Sequence, residues 1–133
     1  MTVSVIVCTY RRAEDVCRLL ACLAEQTYPD VDVLVVDGTG EDPVVRDAVD
    51  RFAAGPGRAL RLQLITSPKG LTTQRNAGLR VARGDVICFL DDDVTVGPTF
   101  VADAVALLDQ PALRDVGGLT GFDVLSFPQP ISW

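Results

Sequence analysis

The chain has 133 residues, a length typical of one domain, and 48% of them are hydrophobic, which excludes an intrinsically disordered protein. Its net charge of −6 lacks the basic excess that binding to a nucleic-acid backbone requires, so no nucleic acid is expected among its partners. The chain contains no histidine, which excludes histidine-dependent zinc sites and histidine general bases within it.

The first half of the chain alternates between strand and helix patterns. Residues 3–8 are a continuous, β-branched apolar run that predicts a buried strand. Apolar residues recur at helical spacing within residues 14–26, which predicts an amphipathic helix. A second buried strand is predicted at residues 32–36, and a second helix starts near Pro43, a residue type favoured in the first turn. The glycine- and proline-rich stretch at residues 54–57 ends that helix.

The second half repeats the alternation. Residues 60–66 predict a third, more peripheral strand, and residues 72–83 predict a weaker helix closed by a glycine. A fourth buried strand is predicted at residues 86–90, and a further helix at residues 98–109 is stopped by Pro111. Strands that alternate with helices form βαβ units, so we predict an α/β fold with a mostly parallel sheet flanked by helices. The expected strand order is third, second, first, fourth.

The sequence indicates a cytoplasmic protein without a transmembrane segment. Its longest apolar runs are strand-sized, far short of the ~20 residues of a spanning helix. The four cysteines form no CxxC pair and are predicted to be reduced, mostly buried thiols. Because the periodic pattern fades after Pro111 and the chain ends on the apolar Trp133, we expect a longer protein. We expect any association with a membrane surface to involve the parts of that longer protein outside these 133 residues.

Polar residues follow the predicted strands. In open parallel sheets, ligands bind outside the carboxyl ends of the strands. Thr9, Tyr10 and Arg11 follow the first strand, Asp37 ends the second, and residues 91–93 follow the fourth. These side chains are therefore expected at one edge of the sheet, where they form a site.

Asp91, Asp92 and Asp93 carry the strongest chemical signal. Three adjacent carboxylates repel one another unless a positive group lies among them. Mn²⁺ and Mg²⁺ prefer carboxylate and phosphate oxygens, and an acidic chain needs such a cation to hold an anionic ligand. The alternative is a solvated loop in which one Asp caps the next helix, but Pro98 makes that helix begin too late for Asp93 to be its cap. The three residues therefore predict a metal site.

Other polar residues allow two interpretations each. Asp37 is either a site residue or a turn former beside Gly38. Lys69 and Arg75 are either cations of the site or solvated side chains. Tyr10 either packs at the rim of the site or stacks on a base. The residue types alone leave these alternatives open.

Six segments match a known pattern when they are taken together and in order. They are residues 3–12, 25–29, 35–37, 70–79, 82–85 and 89–93. Each segment is weak alone, but the set resembles the inverting family 2 glycosyltransferases, which have the Rossmann-like GT-A fold. The resemblance implies that residues 1–133 are the nucleotide-sugar-binding part of a GT-A domain, with the acceptor-binding part after Trp133.

The resemblance implies a role for each candidate site residue. Residues 91–93 look like the family's DXD motif, with Asp93 as the direct ligand of Mn²⁺ or Mg²⁺ and Asp91 as a further metal residue. Asp91 and Asp92 are implied to hold the ribose or a metal-bound water. The nucleotide-sugar-binding residues implied in this way are Thr9, Tyr10, Arg11, Asp37, Arg75, Asp91 and Asp92. Among them, Thr9 and Tyr10 would line the base pocket. Asp37 would reach the base or ribose, and Arg75 would lie near the phosphates or the sugar.

The implied reaction is transfer, with inversion, of a sugar from a nucleoside diphosphate sugar to a hydroxyl of a saccharide, lipid or other acceptor. Two features depart from the family pattern. Gly38 stands where the family often has a second acid or Asn, which leaves guanosine and thymidine donors open beside uridine. The family's base lies well downstream of the DXD motif, so the catalytic base is expected beyond Trp133. Asp123 is the one remaining acid in the glycine-rich tail.

Three other functions share part of this pattern. A non-catalytic nucleotide- or metal-binding module would use the same residues and differ only in lacking turnover. A phosphoacceptor receiver domain would carry its acid pair after the first strand, where this chain has Thr9 and Tyr10. A Rossmann dehydrogenase would need GxGxxG at that place, and the sequence has none there.

Overall fold

The computed structural model describes residues 1–121 and folds them into alternating strands and helices. The elements in chain order are β1 (Val3–Thr9), α1 (Ala13–Ala24), β2 (Val31–Asp37), α2 (Val44–Ala54), β3 (Arg61–Thr66), α3 (Leu71–Val81), β4 (Val86–Asp91) and α4 (Phe100–Leu108). A single 3₁₀ turn follows at Pro111–Leu113. The predicted strands and helices are confirmed, and their bounds differ by two residues at most.

The four strands form one parallel sheet in the order β3-β2-β1-β4, as predicted. Register fixes which residues share an edge: Thr9 on β1 lies beside Asp37 on β2, and Cys8 lies beside Asp91 on β4. The carboxyl ends of the three strands therefore meet at the edge where the polar residues were expected. This placement follows from the helices between the strands, which return the chain so that every strand runs in the same direction.

The core lies on both faces of β1 and β2. Val5 and Val7 of β1 are completely buried, because α1 and α2 cover this face of the sheet. On α1, the predicted apolar stripe is buried as a unit and consists of Val16, Leu19, Leu20 and Leu23. On the opposite face, Ile6 and Leu34 pack against α3 through Ala77. Burying each such side chain stabilises the fold by roughly 1.5–3 kcal/mol, which makes these two strands the framework that carries the site.

β4 is half-exposed, which corrects the prediction of a fourth buried strand. Its side chains are partly accessible, and Phe89 is 41% exposed. The reason is its position: β4 pairs with β1 along one side, and within the described part of the chain no strand pairs with its other side. The thiols also differ from expectation, because Cys8, Cys17, Cys22 and Cys88 are free but only half-buried.

Two of the matching segments have structural tasks in the fold. In the segment 82–85, a Cβ at Gly84 would lie 2.5 Å from the backbone nitrogen of Ser4, so only glycine allows this approach to β1. In the segment 25–29, the Gln26 amide donates to the Gly97 carbonyl at 2.8 Å and accepts from the Val101 amide at 3.0 Å. Gln26 thereby holds the loop that follows the three aspartates. Within residues 1–121, every helix is too short or too polar to cross a bilayer.

Candidate functional site

A cavity of about 360 Å³ opens at the carboxyl edge of the sheet. It lies between the end of β1, the start of α3 and the loop after β4. Its lining residues are Cys8, Thr9, Tyr10, Arg12, Lys69, Gly70, Leu71, Gln74, Asp91, Asp92 and Asp93. The cavity therefore contains all three aspartates together with Thr9 and Tyr10, whereas Arg11 is not among its lining residues.

Asp92 is the buried member of the three aspartates. Its residue is 7% exposed, and its Oδ2 accepts a hydrogen bond from the Thr9 hydroxyl at 2.8 Å. Its Oδ1 accepts from Arg12 Nη1 at 3.2 Å. A buried carboxylate is tolerated when it is paired and hydrogen-bonded in this way. Asp92 thus joins the loop after β4 to the end of β1.

Asp91 and Asp93 are exposed, with accessible side-chain fractions of 65% and 56%. Arg12 Nη1 lies 3.1 Å from Asp93 Oδ2, so one nitrogen contacts both Asp92 and Asp93. Asp92, followed by Asp93, raises the pKa of the Arg12 guanidinium above its ordinary value. Arg75 Nη2 lies 3.5 Å from Asp91 Oδ1. The two arginines offset the mutual repulsion of the carboxylates.

The donor set suits a cation that takes much of its coordination from elsewhere. Among residues 1–121, no group of three or more His, Cys, Asp or Glu side chains converges as a closed metal site. Mg²⁺-like cations, however, keep several waters and bind through one or two carboxylates together with phosphate oxygens. Asp93 and Asp91 offer exposed carboxylates of that kind at the cavity, and Asp92 is already committed to Thr9. The residues therefore fit a metal that is shared with an anionic ligand.

Tyr10 lies at the mouth of the cavity between two cations. Lys69 Nζ is 4.0 Å from the centre of the Tyr10 ring, and the Arg11 guanidinium carbon is 5.6 Å from it. Cations at these distances are attracted to the face of the ring. Tyr10 is 37% exposed, so part of its side chain remains open to solvent. The prediction that Tyr10 packs at the rim and the prediction that it stacks on a base are both compatible with this position.

Gln74 is a buried polar residue that sequence reasoning missed. Its Nε2 donates to the carbonyls of Thr9 and Val36 at 2.8 and 2.9 Å, and its Oε1 accepts from the Gly70 amide at 3.3 Å. A Cβ at Gly38 would lie 2.9 Å from the Gln74 amide. A signal existed in the sequence: α3 has few apolar residues to face the sheet, and a polar residue on a buried helix face must find hydrogen-bond partners.

Three predicted residues lie at the margin and are not among those that line the cavity. Asp37 is buried, and its Oδ1 accepts from the Thr39 amide at 2.8 Å, which supports the interpretation as a turn former. The Arg11 amide donates to the Thr39 hydroxyl at 3.0 Å, with a positive φ of 55°. The Arg75 guanidinium lies 5.3 Å from the centre of the Phe89 ring. The roles predicted for these residues toward a donor stay predictions.

Arg12 and Lys69 also contribute more than the sequence suggested. Arg12 belongs to the matching segment 3–12 but was not among the predicted site residues. In the structure its guanidinium contacts both Asp92 and Asp93. The sequence allows Lys69 to be either a cation of the site or a solvated side chain. In the structure it lines the cavity and lies next to the Tyr10 ring. Exposed cations have no periodic signature, so position relative to the end of a strand was the available signal. Asp123 lies outside the described residues.

Sequence comparison places the chain among known proteins. The family model described as "Glycosyl transferase family 2" matches residues 4–123. The chain is 33% identical over 90 residues to the amylovoran biosynthesis glycosyltransferase AmsB of Erwinia amylovora, which covers 68% of this chain and 30% of that protein.

Solved structures give the same result. A mannosyltransferase of Pyrobaculum calidifontis, in complex with GDP-Man and Mn²⁺, superposes with a TM-score of 0.74 at 32% identity, covering 82% of this chain and 32% of the other. Staphylococcus aureus TarS in complex with UDP-GlcNAc superposes with a TM-score of 0.67 at 29% identity, covering 82% and 31%.

The chain spans about a third of the length of the relatives it matches. The superpositions confirm the expected GT-A-like α/β fold over most of the chain. The match to the family model covers the strands, the cavity and the three aspartates in one continuous stretch. The chain therefore belongs to glycosyl transferase family 2.

Proposed function

We propose that this chain binds a nucleoside diphosphate sugar through a divalent metal and forms the donor half of an inverting glycosyltransferase. The observation that carries the proposal is the cavity that brings Tyr10, Lys69 and the three aspartates together at the carboxyl edge of the sheet. Support comes from relatives whose structures hold UDP-GlcNAc or GDP-Man. Residues 1–133 are, in this proposal, the nucleotide-sugar-binding part of the domain.

The proposed donor lies with its base toward Tyr10 and its diphosphate toward the aspartates. Thr9 and Tyr10 then line the base pocket. Asp93, with Asp91, holds Mn²⁺ or Mg²⁺, because these exposed carboxylates supply the hard oxygen ligands that such cations prefer. When bound, the metal offsets the negative charge that grows on the departing diphosphate. The cations Lys69 and Arg75 lie on the same edge and add positive charge for the phosphates or sugar.

The proposed reaction is a single displacement at the anomeric carbon. An acceptor hydroxyl oxygen forms the new bond, the bond from the anomeric carbon to the phosphate oxygen breaks, and the nucleoside diphosphate leaves with the electron pair. A base must accept the hydroxyl proton on the face opposite the leaving group. Within residues 1–121, the carboxylates that line the cavity are the three aspartates on the proposed leaving-group side. Because the resemblance implies a base well downstream of the three aspartates, we propose that it is supplied from beyond Trp133.

A donor-binding module without sugar transfer is the second candidate, and the same observation favours it for the 133-residue chain alone. Without a base and an acceptor wall, water is the remaining acceptor at the cavity. The expected activity is slow hydrolysis of the donor without efficient sugar transfer.

We also propose a cytoplasmic location, since four free cysteines suit a reducing compartment.

The test is calorimetry with uridine, guanosine and thymidine diphosphates, each with Mn²⁺ and with a chelator. We expect binding with the metal and little binding with the chelator. Equal affinity in the two conditions would contradict a metal-dependent donor site. Release of nucleoside diphosphate from the matching sugar donors, measured together with formation of the glycosylated product, then separates hydrolysis from transfer. Rapid transfer by the chain alone would show that it contains its own base.

A further inference from the structure

The end of β1, the end of β2 and the loop before α3 meet at one buried side chain. Gln74 is 4% exposed, and its amide contacts all three segments. It donates to the Thr9 carbonyl at the end of β1 and to the Val36 carbonyl near the end of β2. It accepts from the Gly70 amide directly before α3. Both amide hydrogens and the amide oxygen are therefore occupied by backbone groups.

Each of those backbone groups adjoins a residue of the cavity region. Thr9 precedes Tyr10, and Gly70 follows Lys69, so the amide ties together the two segments whose side chains meet at 4.0 Å. Gly38 follows the end of β2, and its amide donates to the same Thr9 carbonyl at 3.0 Å. The positions of Tyr10 and Lys69 thus depend on one helix residue that itself contributes little exposed surface.

The same side chain also determines what residue 38 can be. A Cβ added at Gly38 would lie 2.9 Å from Gln74 Cδ and Oε1, closer than such atoms approach in real structures. Gln74 cannot retreat without giving up its bonds to Thr9 and Val36. Glutamine at position 74 therefore requires glycine at position 38. This accounts for Gly38 standing where the family often has a second acid or Asn.

We propose that Gln74 is a positioning residue of the donor site: its amide holds the segments that carry Tyr10, Gly38 and Lys69, and its volume keeps residue 38 free of a side chain. The inference rests on the proposed function, because the segments are held for a nucleotide to bind. Gln74 acts through its neighbours, so its effect is on affinity.

The first experiment needs no ligand. Gln74→Met keeps most of the volume and removes the hydrogen bonds, and Gln63→Met on the exposed face of β3 is the matched control. Amide hydrogen exchange at Gly38 and Gly70, followed by NMR, is expected to quicken at least tenfold in Gln74→Met and to stay unchanged in the control. Unchanged exchange at both glycines in Gln74→Met overturns the proposal.

The second experiment measures affinity in the folded protein. Calorimetry with a nucleoside diphosphate and Mn²⁺ is expected to show about tenfold weaker binding for Gln74→Met, which is the size of one mispositioned contact. Val49→Ala on α2 is the control for lost stability, because Val49 is a buried core residue and does not line the cavity. Equal affinity in Gln74→Met and the unmodified chain overturns the positioning role. If the unmodified chain binds no nucleotide, the proposed function fails, and the exchange measurement still decides whether Gln74 holds the three segments.

The third experiment tests the steric half. Gly38→Ala is compared in the unmodified chain and in a Gln74→Ala background by urea unfolding. We expect Gly38→Ala to lower the unfolding midpoint clearly in the first case and much less in the second, since the truncated residue 74 leaves room for the methyl group. An equal shift in both backgrounds overturns the claim that Gln74 restricts residue 38.

Discussion

The two sides of the cavity are built differently. On the buried side, Thr9, Gln74 and Asp92 are nearly inaccessible and joined by hydrogen bonds of 2.8 Å. On the exposed side, Asp91 and Asp93 are more than half accessible and contact single arginines. A buried network fixes geometry before a ligand arrives, whereas exposed ion pairs exchange partners at low cost. The buried side therefore sets the shape of the site, and the exposed side supplies carboxylates that are free to change partners.

The largest effect is expected from removing charge on the exposed side. Asp93→Asn should weaken metal-dependent nucleotide binding on the order of 100-fold, because it removes the proposed direct ligand. The unfolding midpoint should change little, since the carboxylate is exposed. Calorimetry with and without Mn²⁺ measures the first quantity and urea unfolding the second. Asp50→Asn on the exposed face of α2 is the control. If nucleotide binding by Asp93→Asn still depends on Mn²⁺ as strongly as in the unmodified chain, Asp93 is not the metal ligand.

The buried side should respond through stability. Thr9→Val keeps the shape of the side chain but removes the hydroxyl that donates to Asp92, and it is expected to cost about 1–3 kcal/mol of unfolding free energy. Thr66→Val at the exposed end of β3 is the matched control. Urea unfolding of the two variants makes the comparison. If both lose the same stability, the buried side is no more rigid than the surface.

Arg12 connects the two sides and gives a smaller effect. Its guanidinium contacts Asp92 and Asp93 through one nitrogen, so it competes with a metal for the same carboxylates. Arg12→Gln is expected to tighten Mn²⁺ binding a few-fold without nucleotide, and the gain should shrink as salt screens the charge. Arg18→Gln, which breaks the exposed pair with Asp15, is the control. Weaker Mn²⁺ binding in Arg12→Gln would show that the arginine supports the metal.

The smallest effect concerns the thiols. Burial raises the pKa of the Cys8 thiol above its ordinary value of 9.0, and the charge of Arg75 partly opposes this shift. Burial also raises the pKa of the Cys17 thiol above 9.0. Because the thiolate is the nucleophile, alkylation of both should be slow at pH 8 and rise as the pH passes above 9.0. Nucleoside diphosphate with Mn²⁺ should protect Cys8, which lines the cavity, and leave Cys17 unaffected. Peptide mass spectrometry measures each rate. Equal protection at both sites would place the ligand elsewhere.

The sequence was sufficient for the framework of this molecule. The stripe of Val16 and Leu19 on α1 recurs at helical spacing, and the apolar run of β1 is strand-sized and β-branched, so both elements were predictable. The meeting of Thr9 with the three aspartates followed from the rule that parallel strands end at one edge. The partial exposure of β4 was not predictable from its composition, because an apolar run has the same appearance in a central strand and in an edge strand.

The hydrogen-bonded details of the site were beyond the sequence. The shortage of apolar residues on α3 indicates a buried polar side chain, but the three partners of Gln74 do not follow from spacing along the helix. Asp37 ends its strand as expected, but its contact with the Thr39 amide depends on the local turn. Arg12 required knowledge of where a long, exposed side chain points. In each case a pairwise contact between distant segments decides the outcome, and one-dimensional patterns do not contain it.

The hydrogen bond between Thr9 and Asp92 joins residues 83 positions apart in the chain. During synthesis, β1, β2 and β3 emerge in the order in which they pair, whereas β4 emerges last and joins the opposite side of β1. Closing so long a loop costs only slightly more than closing a shorter one, because the entropy grows with the logarithm of length. The cavity therefore closes late in synthesis, because Asp93, the last of its lining residues along the chain, must first leave the ribosome.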